Sequence, residues 1–534
     1  MLITRHCQQS SDDLFTCERV MLRFLSGKCE PRGLDFNVWD YSMPEIYGII
    51  LGMFTKLGLV ECLGISESDL LDFIIDVDKG YHATYYHSFY HAADVTAVLY
   101  RILFDMNASQ YLTKPDMATL LLAGLCHDIG HPGLNNLFQV NAKTELYERY
   151  GEASVLEKYS CSLAMELVAK HKLFRNIASS PDAILPEGNH PTEDGMKDAM
   201  IKAIMATDMS FHYDMLNNLN TLIEVISTPL SSPSISDNEP TEAESGPDTS
   251  LQSSPTQSSF SCNCTALSSP TVYKIPSLCS RFSSCPVAQQ PSHIHHHDHH
   301  RRQSSISSTS SISSSDSGCS EESTQTTHSL DMGRPSFNLT PELRQSLCNC
   351  LLHAADISNA VKPWGLCKRW SDMIVQEFFR QGDIEKARNL PISPNMDRNQ
   401  HNQAQISLGF ADFVVRPYFE SLAAFLPDAA PFLTTLASNR AQWLLQKEAL
   451  EAAKDMSMNT CVATVAETHE TNGISSPIQP HLTTGRRVSG IFFFFLEGGK
   501  SFFGMIANRS ILVLNMSKLI VFFFFFFFFF FSFW

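Results

Sequence analysis

The chain has 534 residues, 44% of them apolar, enough to bury a sizeable core and compatible with two or three domains. Its formal charge of −17 argues against a phosphate-neutralising surface of the kind nucleic-acid binding needs. Its fifteen cysteines lack paired CxxC spacing: the nearest pairs, Cys262/Cys264 and Cys348/Cys350, match neither a zinc knuckle nor a redox motif, so reduced thiols in a cytoplasmic protein are expected.

Residues 1–39, which start MLITRHCQQSSDDLF, contain no apolar h-region of secretory length and read as a short N-terminal segment. Over residues 40–226 apolar side chains recur at three and four, as in Ile46, Ile49, Ile50, Met53, Phe54 and Leu57, and predict helices; strand-like alternation is scarce. YHSFYHAADV sets His87 and His91 four residues apart, on one face of a helix if the segment is helical. The run TLLLAGL, residues 119–125, is apolar nearly all round and predicts a helix at the centre of a helical domain. It ends in LCHDIGHPG, where the His127–Asp128 doublet is costly to desolvate unless hydrogen-bonded or bound to a cation.

Residues 227–335 turn to Ser, Thr, Pro and His with few aromatics, a disordered insertion that cannot offset its chain entropy by burial. The histidine tract around residues 293–300 defines no closed ligand geometry and reads as low-complexity sequence. Helical periodicity resumes over 336–455, where ELRQSLCNCLLHAADIS brings a further carboxylate, Asp356, to the end of an apolar segment. The expected fold is a compact all-α domain in two parts. Residues 456–534 read as an irregular tail ending in Phe522–Phe531. The stretch from Leu519 falls short of the ~20 residues of a membrane span, leaving two readings: a tilted tail anchor, or translated repetitive sequence outside the fold.

Two imidazoles with two carboxylates suit Zn²⁺ or another borderline divalent ion, with positions left for water. An aspartate such as Asp128 can also bridge to a harder ion, Mg²⁺ or Mn²⁺, and such a pair of divalent metal ions holds a bridging hydroxide ready to attack phosphorus.

With these residues in view, the chain resembles the catalytic domain of class I cyclic nucleotide phosphodiesterases over about residues 40–225 and 336–455. The matching motifs are YHSFYHAADV, HDIGHPGLNN, ATDMS at 206–210 and HAADISN. The resemblance implies metal ligands His91, His127, Asp128 and Asp356, with His87 as the general acid that protonates the leaving O3′. It places His131, Asn136 and Glu157 around the second metal's waters, and Thr207 and Asp208 near the pocket. Read from the residues alone, Asn136 and Thr207 serve equally as caps, Asp94 and His353 as supporting groups, and His212 as a surface or core histidine.

The same resemblance implies a purine clamp of Ile374 and Phe410, with Phe378 and Trp370 nearby and Asn359 following the aspartate motif; flat apolar walls suit a purine face. Counting without gaps from MDRN (396–399) and back from GFADFVV (409–415), the family's base-reading glutamine position holds Ser407. Gln405, two residues earlier, faces about 200° away on a helix. One hydroxyl alone makes no two-pronged contact, so binding about ten- to a hundredfold weaker, or less selective, is expected.

The implied function is metal-dependent hydrolysis of cyclic AMP and/or cyclic GMP to the 5′-monophosphate, ending a cyclic nucleotide signal. Two alternatives stand beside it: an HD-type hydrolase of another nucleotide phosphoester, and a non-catalytic cyclic nucleotide sensor or scaffold. The separate ATDMS, HAADISN and clamp positions count against the first, and the intact ligand positions against the second. Arg301-Arg302-Gln303-Ser304 and Arg486-Arg487-Val488-Ser489 resemble substrates of basophilic kinases, which makes Ser304 and Ser489 expected regulatory sites.

Overall fold

Many of the helices begin at a side chain able to satisfy their free amides. Thr113 Oγ1 accepts from the Asp116 amide at 3.3 Å while the Asp116 carboxylate accepts from the Thr113 amide at 2.9 Å. Ser66 with Asp69 and Asn402 with Gln405 repeat the exchange, and Pro115 and Pro341 stand in the first turns of their helices.

A computed structural model describes residues 9–28, 33–227, 339–467, 491–497, 500–507 and 510–515. The first helical block comprises α1 (Ser11–Leu25), α2 (Met43–Lys56), α3 (Leu59–Leu63), α4 (Glu67–Gly80), α5 (Phe89–Phe104), α6 (Lys114–Cys126), α7 (Asn136–Ala142), α8 (Glu145–Tyr150), α9 (Val155–His171), α10 (Glu193–Met205) and α11 (His212–Ser227). The second comprises α12 (Pro341–Asp356), α13 (Trp364–Ala387), α14 (Gln403–Phe410), α15 (Arg416–Phe425) and α16 (Ala430–Glu467), with a π-helical turn at Ala411–Val415.

As its all-round apolar pattern predicts, α6 is buried from Pro115 and from Met117 through Cys126, and it packs against α3, α5, α10 and α12. The two blocks share one core. A buried Arg344 ties them together at the start of α6, bonding Asp116 Oδ2 through Nε at 2.9 Å and donating from Nη1 to the Leu339 carbonyl at 2.8 Å. Because α12 lies against both α5 and α6, its last residue, Asp356, arrives beside the doublet that ends α6.

Two regions differ from expectation. The helical body begins at Ser11, not residue 40: α1 buries Leu14, Cys17, Val20, Met21 and Phe24, a helical stripe, against α2. The approach is close, since a Cβ on Gly48 would lie 2.4 Å from the Cys17 carbonyl oxygen. The tail is not irregular throughout either. Ile491–Glu497, Lys500–Ala507 and Ser510–Asn515 form an antiparallel sheet in order β1-β2-β3, with Phe494 opposite Phe503 and Met505 opposite Leu512. Runs of Phe, Ile and Val favour this extended state. The histidine tract, Ser304, Ser489 and Phe522–Phe531 lie outside the described residues. Among the described residues, no helix is long and apolar enough to cross a membrane.

The loop after α13 is seated on Gly382, where an added Cβ would stand 2.0 Å from the Met396 carbonyl oxygen. Gly382→Ala should therefore cost about 1–3 kcal/mol through overpacking. A lowered urea midpoint is the expected reading; an unchanged one would mean the loop moves freely to make room.

Candidate functional site

His91 on α5, His127 and Asp128 just past α6, and Asp356 at the end of α12 converge, with one potential ligand atom of each lying within 4.8 Å of the others. His91 Nε2 is 2.9 Å from Asp356 Oδ1 and 3.8 Å from Asp128 Oδ2. His127 Nε2 is 3.0 Å from Asp128 Oδ2 and 3.5 Å from Asp356 Oδ1. Both imidazoles are fully buried, while the carboxylates keep some access to the pocket.

The tautomer of His127 tests whether a cation fits. Its Nδ1 donates to the Gly124 carbonyl at 2.9 Å, so a neutral ring turns the lone pair of Nε2 toward the carboxylates. His127 Nε2 makes no hydrogen bond despite its burial. A lone pair facing two carboxylate oxygens is repulsive unless a proton or a metal ion lies between them. Burial alone would depress the His127 pKa, but Asp128 and then Asp356 raise it well above the usual range. The same pairing holds the Asp128 and Asp356 carboxyls far below theirs, against the opposing effect of burial. A divalent cation answers the same field, and the donor set of two imidazoles and two carboxylates fits one.

His87 belongs to a neighbouring cluster. The expected shared helix face is not found: α5 starts at Phe89 behind Ser88, so His87 precedes the helix that carries His91. Its Nδ1 is hydrogen-bonded to Glu377 Oε1 from α13, and its ring stacks on His131 with centroids 3.8 Å apart. Burial would lower the His87 pKa, but the Glu377 carboxylate, followed by Asp128, lifts it to about 9. Glu377 is held down at about 2, mainly by His87 against its own burial. His131 Nδ1 accepts from the Gly133 amide at 3.0 Å, and burial, then the facing His87, pushes that ring down to about 3. The cluster is an internally satisfied ion pair beside a neutral histidine.

Both clusters open into one cavity lined by Tyr86, His87, Asp128, His131, Asn136, Glu157, Thr207 and Asp356, and further along by Asn359, Trp370, Ile374, Phe378, Ser407 and Phe410. Asn136 Nδ2 donates to both Glu157 oxygens, at 3.0 and 3.2 Å, and its Oδ1 accepts from the Leu156 amide. Burial, then the nearby Asp208, pushes Glu157 up to about 8. Thr207 Oγ1 donates to the Ile204 carbonyl, and Asp208 accepts from Ser154 Oγ and the Ser210 amide as a cap. Asn359 bonds the Tyr86 hydroxyl.

Other residues are placed differently. Gln405 is exposed and spends its side chain in the capping box of α14, while Ser407 lines the cavity. Asp94 is paired with a buried Lys362 at 2.9 Å, and His353 Nε2 meets His212 Nδ1 at 2.9 Å, both rings buried. These are structural contacts in the core. Trp370 is buried too, tilted against Trp39 and edge-on to Tyr86 and His91, so it serves core and cavity together.

Sequence reasoning missed Glu377, Gln381, Ser371 and Gln403. Glu377 and Gln381 fall on the stripe 370, 374, 377, 381 of α13, and polar residues on a core-facing stripe are the signal that could have found them. Gln381 Oε1 accepts from the Asn135 amide, and its Nε2 reaches the buried Glu385, which fixes the loop entering α7.

With that geometry in place, comparison with known proteins is informative. The chain belongs to the 3′5′-cyclic nucleotide phosphodiesterase family, whose profile matches residues 86–268 and 292–436. It is 28% identical over 422 residues to the 3′,5′-cyclic-nucleotide phosphodiesterase regA of Dictyostelium discoideum, covering 78% of this chain and 38% of that protein. It is 23% identical over 427 residues to the high affinity cGMP-specific 3′,5′-cyclic phosphodiesterase 9A of Mus musculus, covering 80% and 58%. The chain thus matches about two-fifths to three-fifths of the length of these relatives. Among solved structures, the phosphodiesterase domain of a RhoPDE fusion protein from Salpingoeca rosetta aligns with a TM-score of 0.53 at 20% identity, over 79% of this chain and 96% of that one. A structure of LmjPDEB1 in complex with IBMX aligns with a TM-score of 0.53 at 21% identity, over 83% and 99%. These alignments confirm the all-helical phosphodiesterase fold.

Glu377→Gln removes the charge that holds the proton on His87. Imidazole titration by NMR should show the His87 value falling from about 9 toward or below the ordinary ~6.5. An unmoved titration would assign the proton's retention to another group.

Proposed function

We propose that this chain cleaves the 3′ phosphoester bond of cyclic AMP and/or cyclic GMP to give the 5′-monophosphate. The observation that carries the reading is His87, hydrogen-bonded to the buried Glu377 beside a two-histidine, two-aspartate cluster in one cavity. The apolar walls further along that cavity suit a flat base.

His91, His127, Asp128 and Asp356 would hold a tightly bound Zn²⁺, and Asp128, with His131, Asn136 and Glu157 nearby, would serve a second ion, Mg²⁺ or Mn²⁺. Such ions supply, when bound, positive charge against the phosphate and an activated water. The rest falls to the chain. Glu377 keeps His87 protonated through neutral pH, and His87 gives that proton to O3′ as the bond to phosphorus breaks. Tyr86 helps fix this arrangement, because its amide donates to Glu377 Oε2 at 2.9 Å and its ring lies over His91. Ile374, Phe378 and Phe410 hold the base and exclude water from the cleft.

The full chain should therefore convert cyclic AMP or cyclic GMP to the 5′-monophosphate, and a chelator should abolish this. His87→Ala should lower kcat by about 10²–10⁴ with metal content unchanged, whereas Asp356→Ala should lose metal and activity together. Chelator-insensitive turnover, or full activity in His87→Ala, would contradict the proposal.

A further inference from the structure

The pocket wall where the family's glutamine is missing carries two hydroxyls, not one. Ser407 Oγ on α14 lies 2.8 Å from Ser371 Oγ on α13, and both line the cavity. Gln403, one turn before Ser407 on the same face of α14, donates from Nε2 to Ser371 Oγ at 3.1 Å and to Asp372 Oδ1 at 2.6 Å. Asp372 is held in turn by Lys368 Nζ, 2.9 Å from each carboxylate oxygen.

These contacts decide where the protons lie. A carboxylate only accepts, so the Gln403 amide must turn its nitrogen toward Asp372, and the second N–H of that nitrogen goes to Ser371 Oγ. Ser371 accepts this bond in every arrangement. Of the two hydroxyl protons, one bridges the two serine oxygens and the other is left to face the cavity. When Ser371 donates to Ser407, the cavity meets a donor at Ser407 and a lone pair at Ser371. When Ser407 donates to Ser371, both Ser371 lone pairs are used, so Ser371 becomes the donor and Ser407 the acceptor. Rotating two hydroxyls interchanges the two orders.

We propose that the Ser371–Ser407 pair, polarised by Gln403, is the base-reading element of this pocket and accepts adenine and guanine alike. The inference rests on the phosphodiesterase reading above. Adenine presents an amine donor beside the acceptor N1, whereas guanine presents the acceptor O6 beside the donor N1–H, the reverse order. A hydroxyl pair that reverses its own order complements both edges, which a single serine does not. The apolar walls at Ile374, Phe378 and Phe410 meet the base faces, which the two purines share. Gln403 is a positioning residue, acting through Ser371.

Steady-state kinetics of the full chain with cyclic AMP and cyclic GMP test this in the wild type, Ser371→Ala, Ser407→Ala, the double variant, Ser371→Thr and Gln403→Leu. In the wild type, kcat/KM for the two nucleotides should agree within about tenfold. Each alanine variant should raise KM about tenfold for both with kcat nearly unchanged, because the contact is made equally in ground and transition states. The double variant should be no worse than the poorer single one, since either change removes the pair. Ser371→Thr, which keeps the hydroxyl, should restore KM, and Gln403→Leu should raise it a few-fold. Wild-type turnover with a preference above about a hundredfold, unchanged KM in both alanine variants, or additive losses would overturn the inference and leave the phosphodiesterase reading standing. Wild-type turnover of neither nucleotide would overturn both.

Discussion

The Nε2 of His127, turned toward Asp128 and Asp356 while Nδ1 meets the Gly124 carbonyl, is the constraint on which the rest of the molecule depends. Nothing in that arrangement is favourable without positive charge among the four side chains. The backbone of α6 sets the tautomer, and α6 is immobilised by burial on all sides. An apolar helix in the middle of the domain is thus what makes a polar site at its end rigid enough to hold a cation.

From that point the fold distributes tasks by element. The last residue of α12 supplies the second carboxylate, which bonds His91 of α5, and Arg344 near its start pins the same helix to Asp116 at the start of α6. α13 is the other organising element. It carries Trp370 against His91, Ser371 and Ile374 in the cavity, Glu377 on His87, and Gln381 on the loop into α7. One helix therefore connects His87, the apolar cavity wall and the support of the second cluster. The seating of Met396 on Gly382 attaches the following loop to the same helix.

Much of this was legible in the sequence. The all-round apolar run before His127 and the 3.6-residue periodicity on both sides of the insertion give the all-helical domain, because burial on one or all faces leaves a pattern along the chain. The set His91, His127, Asp128 and Asp356 was implied by the resemblance of the motifs to the family's, and such residue types are costly to bury singly. What stayed hidden depends on contacts between distant segments. His87 and His91 were readable as a pair only by spacing, and the helix start at Phe89 separates them into different clusters. Glu377, on another helix nearly three hundred residues away, gives no local sign of meeting His87. Ser407 looked like a lone replacement because Ser371, on α13, becomes its neighbour and the partner of Gln403 only when α13 and α14 pack. The stripe in α1 was present in the sequence, but it stands alone ahead of a break and needs α2 to give it meaning.

The most direct test of the account is metal stoichiometry of the purified full chain by elemental mass spectrometry, together with thermal unfolding with and without added Zn²⁺ and Mn²⁺. At least one divalent ion per chain, a melting temperature that rises with the ions, and loss of both in Asp128→Asn and Asp356→Asn are the predicted results. A metal-free chain whose melting temperature ignores both ions would contradict the claim that a cation occupies the space between His127 and its two aspartates.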